Sequence, residues 1–240
     1  MAYQTVFKRY EIKYLLTKQQ KARLVRAMEG HMALDEHGRT TICNLYFDTD
    51  SYRLIRRSLE KPDYKEKLRV RSYGTAKKDG TVFVELKKKY DGVVYTRRVA
   101  LPNGEAMAWL CSDRLRAAHS QITDEIDYVR RYYGGLHPTV FLSYEREAYA
   151  PVDGTDFRVT FDENILCRED HLSLTESAWG TPLIPEGMVL MELKTPGGIP
   201  LWMTRFLTAE RLYKTSFSKY GTAYRNVIRP HHSEGERKYA

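Results

Sequence analysis

The chain has 240 residues, 42% of them hydrophobic, and its 39 Lys+Arg against 31 Asp+Glu leave a formal charge of +8. That length and apolar content supply a core for one large domain or two small ones without disulfide or metal staples, which excludes a disordered tail protein. The 3 cysteines, Cys43, Cys111 and Cys167, are odd in number and too far apart for a disulfide framework or a zinc ligand set, so a reduced compartment is expected.

No apolar run approaches the ~18–20 residues that span a bilayer, and Met1 to Arg9 hold no apolar signal-peptide segment. A soluble, cytoplasmic protein is the expectation. The positive balance points to an anionic partner, but composition does not separate nucleic acid, acidic lipid, nucleotide and inorganic phosphate. The arrangement of the cations has to decide, and they recur at the period of two that aims side chains to one face of a strand.

In chain order, Phe7 to Leu16 reads as a strand with Arg9, Glu11 and Lys13 on one face and Tyr10, Ile12 and Tyr14 on the other. Thr17-Lys18-Gln19-Gln20 is a capping box opening a helix to about Met28. Thr40 to Asp48 is rich in β-formers, and a short helix carries Tyr52 to Ser58. Lys65 to Arg71 places Lys65, Lys67, Arg69 and Arg71 on one parity, the densest cationic strand face in the chain. Thr81 to Lys89 aligns Phe83, Glu85 and Lys87, and Asp91-Gly92 is a strong hairpin signal. In the return strand Val93 to Leu101 the adjacent pair Arg97-Arg98 leaves the facing ambiguous. Helices are expected over Asn103 to Ala118 and Thr123 to Tyr133. Three strands follow: Thr139 to Ala150 with Tyr144 and Arg146 together, Asp156 to Ile165 with Arg158, Thr160 and Asp162, and Met188 to Thr195 with Leu190, Glu192 and Lys194. Pro200 at a first helical position starts a helix to Tyr213, Ser218 to Ile228 forms another, and the tail from Pro230 is expected to be mobile.

No linker or internal repeat divides this pattern, so residues 1–229 are read as one domain followed by a tail, 230–240. About eight strands with peripheral helices lack strict βαβ alternation, and the hairpin requires antiparallel pairing. The expected fold is α+β: a closed antiparallel barrel of about eight strands. A wet sheet face normally mixes small polar residues with both charge signs. These faces favour Lys and Arg, with isolated Glu11, Glu85 and Glu192. Two like charges ~4 Å apart repel by roughly 4 kcal/mol at an effective dielectric near 20, so a lumen lined this way favours a dense polyanion. The scattered glutamates would hold a hard divalent cation bridging protein and phosphate.

The runs Phe7-Lys8-Arg9-Tyr10-Glu11-Ile12-Lys13-Tyr14, Leu45-Tyr46-Phe47-Asp48-Thr49, Lys67-Leu68-Arg69-Val70-Arg71-Ser72-Tyr73-Gly74, Val84-Glu85-Leu86-Lys87, Met191-Glu192-Leu193-Lys194 and Phe217-Ser218-Lys219-Tyr220 together resemble the VTC domain. That is the catalytic domain of the vacuolar transporter chaperone polyphosphate polymerase, in the triphosphate tunnel metalloenzyme (CYTH-like) superfamily. The resemblance covers about residues 7 to 225. It implies an eight-stranded antiparallel tunnel that binds triphosphate or polyphosphate with Mn²⁺ or Mg²⁺ and moves the γ-phosphoryl group of ATP to a polyphosphate chain.

By motif, the resemblance implies that Lys13, Arg69, Arg71, Lys87, Arg146, Arg158, Lys194 and Lys219 are phosphate ligands, with Lys67 and Ser218 as further substrate contacts and Glu192 as the metal ligand. Arg98 aligns better than Arg97 with the family's basic position, and Thr96 stands where a Lys is common. Arg9 occupies the first acidic position of the superfamily's ExExK signature, which argues against a two-metal hydrolytic site. Arg69, Arg71, Arg146 and Arg158 would clamp equatorial phosphate oxygens.

Lys61, Lys88 and Lys89 read as solvated; Tyr46, Tyr73 and Tyr144 as core or rim packing rather than a base-stacking platform; Trp109, Trp179 and Trp202 as packing. The 7 histidines follow no ligand spacing, and His231-His232 reads as surface decoration in the tail. Hydrolysis of tripolyphosphate or a nucleoside triphosphate in the same tunnel, a non-catalytic polyphosphate-binding domain and an RNA-binding barrel are the competing readings. The last ranks lowest because the cations alternate within strands rather than lying among exposed aromatics. The resemblance makes ATP and inorganic polyphosphate the expected partners, with no nucleic acid. Family members embedded in membranes translocate their product, and this chain has no segment for that, so a membrane-protein partner is the corresponding expectation.

Overall fold

The computed structural model of the protein describes residues 6–112 and 118–232. Its strands are β1 (Val6–Thr17), β2 (Met32–Asp48), β3 (Tyr64–Tyr73), β4 (Thr81–Tyr90), β5 (Val93–Pro102), β6 (His137–Pro151), β7 (Arg158–Arg168), β8 (Thr181–Pro182) and β9 (Met188–Thr195). Helices α1 (Lys18–Ala27), α2 (Arg53–Leu59), α3 (Asn103–Cys111), α4 (Gln121–Tyr133), α5 (Leu201–Ala209) and α6 (Lys219–Ala223) lie between and after them. A π-helical turn, Tyr224–Ile228, extends α6.

Neighbouring strands pair antiparallel in the order β6-β2-β3-β4-β5-β1-β9-β7, and β7 pairs back onto β6, so the ladder returns to its start around a lumen. Two-residue β8 takes over beside the upper half of β7. The ring leaves one face of every strand pointing inward, and the alternation read from the sequence decides which. Leu68, Val70, Val82, Val84 and Leu86 turn outward against Trp109, Leu110, Ile126 and Val129 of α3 and α4. Leu16, Val189, Met191 and Leu193 pack outward against Leu24 of α1 and Met203 and Leu207 of α5. A further apolar cluster fills the β2, β6 and β9 side of one end of the lumen, with no residue of β3 or β4 in it: Tyr46, Leu142 and Leu190 meet Tyr220, Ala223, Val227 and Ile228 of the C-terminal segment and Ile55 of α2.

Local signals account for most boundaries. The Thr17–Gln20 capping box forms at α1, and the Ser120 hydroxyl accepts the Thr123 N–H at α4. Asp91 and Gly92 both adopt positive φ, as the two-residue hairpin between β4 and β5 requires. Asp48 accepts the Leu54 and Ile55 N–H groups at the start of α2.

Several boundaries differ from the expectation. β2 begins at Met32 rather than Thr40, because residues 32–39 extend the strand by pairing only to β6, past a register shift between Leu34 and Arg39, and carry no alternation. Pro200 is the cap preceding α5, which stops at Ala209 instead of Tyr213. Helix α3 ends at Cys111; residues 113–117 of the expected helix lie outside the described residues. Residues 229–232 are helical, and 233–240 of the expected tail lie outside the described residues. Among the described residues no helix is long and apolar enough to cross a membrane.

Candidate functional site

Strand parity brings the predicted side chains into the lumen. On β3, Arg69 donates through Nε to Glu85 at 2.8 Å and through Nη1 to the Tyr46 hydroxyl at 2.9 Å. Arg71 donates to Asn44 Oδ1 at 3.0 Å and to the Tyr144 hydroxyl at 3.3 Å. Lys67, on the same face, donates to Ser218 Oγ at 2.9 Å. On β4, Lys87 pairs with Glu11 of β1 at 2.7 Å. On β6, Arg146 forms a two-pronged pair with Asp162 of β7.

Glu192 of β9 stands at the centre of the charge network. Its carboxylate lies 3.4 Å from Lys13, 3.5 Å from Lys194, 3.5 Å from Lys219 and 3.7 Å from Arg146. Burial opposes its ionisation, but Lys219, Lys13, Lys194 and Arg146 together hold it well below the usual carboxylate range. The C-terminal segment crosses the lumen here: Lys13 donates to the Phe217 carbonyl at 2.8 Å, and Lys219, the first residue of α6, reaches both Asp162 and Glu192.

The facing of the return strand is settled by its register. Arg98 sits opposite Glu85 and over the Phe83 ring, 4.8 Å from its centroid, on the lumen side, whereas Arg97 lies 3.7 Å from Glu125 of α4 on the outside. Arg158 shares the inward parity of Thr160 and Asp162, but it is exposed at the start of β7, opposite Lys194, and so stands at the rim rather than in the enclosed part. Lys88 is outside, paired with Glu125. His231 and His232, read as decoration, both contact Glu169. The side chain of Arg9, expected at an acidic position of the superfamily signature, lies outside what is described.

The carboxylates are not isolated. Glu85 is opposed by burial yet held at about 2 by Arg71 and Arg69, and Glu11 likewise at about 2, chiefly by Lys87. Asp162 is a member of the site that the sequence reading passed over, although its parity with Thr160 placed it on the right face. It is fully buried and takes both Arg146 and Lys219. Tyr144 was also missed: burial would raise its phenol, but Arg146, Arg71 and Lys219 bring it down to about 8. Burial and Arg146 bring Lys194 down to about 8 as well, against the pull of Glu192. Lys67 falls well below its ordinary value through burial and the neighbouring Lys13, Lys87, Lys65 and Arg69.

Such a lumen can strip hydration from an anion with many oxygens and replace it with guanidinium forks and ammonium groups. Among the described residues, no three His, Cys, Asp or Glu side chains gather as a metal-ligand set. A hard cation that arrives with phosphates needs less: one or two carboxylates, with phosphate oxygens and water completing the shell. Glu192, with Asp162 acting on the same network, fits that smaller demand.

Solved structures share the fold. A candidate adenylate cyclase of Bacillus halodurans aligns over 90% of this chain and 96% of its own at 16% identity with a TM-score of 0.56. A candidate adenylyl cyclase from Hippeastrum, described as having a dominant triphosphatase activity, aligns over 90% of this chain and 95% of its own at 16% identity with a TM-score of 0.52. No curated protein matches the sequence significantly. The VTC domain family matches residues 8–228, nearly the whole of the ring together with its C-terminal crossing segment, and the chain belongs to that family.

Proposed function

We propose that the protein is a metal-dependent polyphosphate polymerase, transferring the γ-phosphoryl group of ATP to the end of a growing inorganic polyphosphate chain in the lumen. The observation that carries this reading is the gathering of Lys13, Arg146, Lys194 and Lys219 around Glu192, with Asp162 as the second carboxylate among them, in a VTC-family chain. Four cations against the two carboxylates of Glu192 and Asp162 leave positive charge over, and a phosphate chain supplies its counterpart.

In phosphoryl transfer the protein mostly positions the partners and neutralises charge on the moving group. In this reading Arg69, Arg71 and Arg146 clamp the equatorial oxygens, with Arg158 at the rim, and Lys13, Lys67, Lys87, Lys194 and Lys219 hold the flanking phosphates, helped by Arg98 and Ser218. The bond from the γ-phosphorus to the β,γ-bridging oxygen breaks, leaving ADP, and a terminal oxygen of the chain forms the new one. That oxygen is already ionised, so no histidine or other base has to remove a proton. Mn²⁺ or Mg²⁺, held through Glu192, would neutralise charge across adjoining phosphates. Partners in this reading are ATP, inorganic polyphosphate and a membrane protein that takes up the product, in the cytoplasm, with no role for nucleic acid.

The test is incubation of purified protein with ATP, Mn²⁺ and a short polyphosphate primer, comparing the wild type with Arg69→Ala and Glu192→Ala. Long-chain product from the wild type, lost in both variants, supports polymerisation. Orthophosphate alone assigns hydrolysis, and tight binding without turnover assigns a binding domain. Variants equal to the wild type in product and in tripolyphosphate affinity would overturn the site.

A further inference from the structure

The inward face of β3 does not stop at the enclosed site. Beyond Arg71, Arg69 and Lys67 the same parity continues to Lys65, whose register partner on β4 is Lys89, just as Lys67 faces Lys87. Lys89 therefore shares the lumen-facing row that the sequence reading left it out of. The two lie at the end of the lumen where Ser218 and α2 sit, and Lys65 donates to the Ser58 carbonyl in the last turn of α2 at 3.3 Å. Lys61, in the turn that follows, is exposed and held at a φ of 57°, a region that side-chain-bearing residues seldom adopt.

These cations differ from those deeper in. Lys87 has Glu11, Arg69 has Glu85 and Arg146 has Asp162. Among the described residues the side chains of Lys61 and Lys89 have no hydrogen-bond or ion-pair partner. The charges acting on Lys65 are Lys89 and Lys61 themselves. Glu66, the carboxylate next to Lys65 in sequence, turns to the opposite face and accepts from the Tyr64 hydroxyl. Lys65 and Lys89 are half-buried and Lys61 is exposed beside them, and no carboxylate acts on Lys65, so an anion laid across the three is favoured.

We propose that Lys61, Lys65 and Lys89 form an outer subsite for a phosphate chain, continuing the β3 row past Ser218 and taking units beyond those that the lumen encloses. This rests on the function proposed above and adds a direction to it: the reacting end lies by Glu192, and the chain leaves over Lys67 and Lys65. Arg71 and Lys65 are six residues apart on one strand, roughly 20 Å at a strand's rise. A triphosphate held at Arg71 and Arg69 is too short to touch Lys65, so the subsite is engaged only by longer chains.

The experiment is competition binding with inorganic tripolyphosphate, with long-chain polyphosphate and with single-stranded RNA of matched charge, for the wild type and for Lys65→Ala/Lys89→Ala. The double variant is expected to bind long-chain polyphosphate roughly tenfold more weakly and tripolyphosphate as tightly as the wild type. Lys65→Arg/Lys89→Arg should keep the long-chain affinity, which separates charge from packing. Equal losses for both phosphate lengths, or none for the long chain, would overturn the subsite, and so would RNA competing as well as polyphosphate. A wild type that binds no tripolyphosphate at all would instead overturn the function on which the subsite rests.

Discussion

Asp162 accepts two parallel hydrogen bonds from Arg146, at 2.6 and 2.7 Å, in a position wholly shielded from solvent. Lys219, from the far end of the chain, meets the same carboxylate. One anion thus ties β6, β7 and α6 together. Asp162→Asn keeps the shape and removes the charge, leaving Arg146 and Lys219 to share Glu192. Breaking a buried pair in this way costs about 3–5 kcal/mol, or a fall in Tm of roughly 6–20 °C for a chain of this size. Tripolyphosphate should restore more of the lost Tm in this variant than it adds to the wild type, which differential scanning fluorimetry would read. A Tm that does not change would show that Glu192 alone balances those cations.

Lys194 and Tyr144 both titrate at about 8. Below that pH the lysine is charged and the phenol neutral; above it the lumen loses a positive charge and gains a negative one. Both changes oppose an anion. Tripolyphosphate affinity is therefore expected to fall by roughly tenfold from pH 7.5 to 9.5, with proton uptake on binding measurable by calorimetry in buffers of different ionisation enthalpy. Tyr144→Phe removes one of the two titrations and should flatten the slope. A pH-independent affinity would contradict the placement of both groups at the anion.

Glu11 competes with an incoming anion for Lys87. Replacing it by Gln frees that ammonium, so Glu11→Gln should bind tripolyphosphate about three- to tenfold more tightly without added metal. Lys87→Ala should weaken binding and also strand the Glu11 carboxylate, adding a stability loss that Glu11→Gln does not share. Isothermal titration and thermal melts on the two variants check this pair of opposite signs. Weaker binding by Glu11→Gln in metal-free buffer would sink the competition argument.

Acid should unfold the protein over a defined window. The folded pKa values of Glu11 and Glu85, about 2, lie below the ordinary 4.5. The unfolded chain thus binds more protons between these values. Their contribution is complete above roughly pH 5 and is lost as pH falls toward 2, with Asp162 and Glu192 displaced in the same direction. Urea midpoints measured from pH 6 to 2.5 are expected to drop steadily, and Glu85→Gln should flatten that drop while lowering the starting value.

Much of the site was legible because a strand's period of two is a strong signal. Lys67, Arg69, Arg71, Glu85, Lys87, Glu192 and Lys194 could be assigned to one face without coordinates, and the register confirms that face. The Arg97-Arg98 pair was not legible, since adjacent residues point to opposite sides and only the Glu85 and Glu125 partners decide between them. The pairing of Asp162 with Lys219 joins residues 57 positions apart, so no local pattern could announce it. Residues 32–39 became strand through pairing to β6, a tertiary effect that overrides weak local preference. Arg158 had the right parity but sits where its strand begins, and parity does not report depth.

The segment that crosses the lumen has a bearing on how the molecule is made. Backbone near the start, at Lys13, accepts a hydrogen bond from Thr215, while β1 is paired along most of its length to β9. The ring cannot close until β9, which ends at Thr195, has left the ribosome, nor its crossing strap until Thr215 and Lys219 have followed, and contacts of such long span form slowly. During that wait the cationic faces of β1, β3 and β4 stand open to every polyanion in their surroundings, so the same residues that are to grip phosphate must first avoid being caught by it.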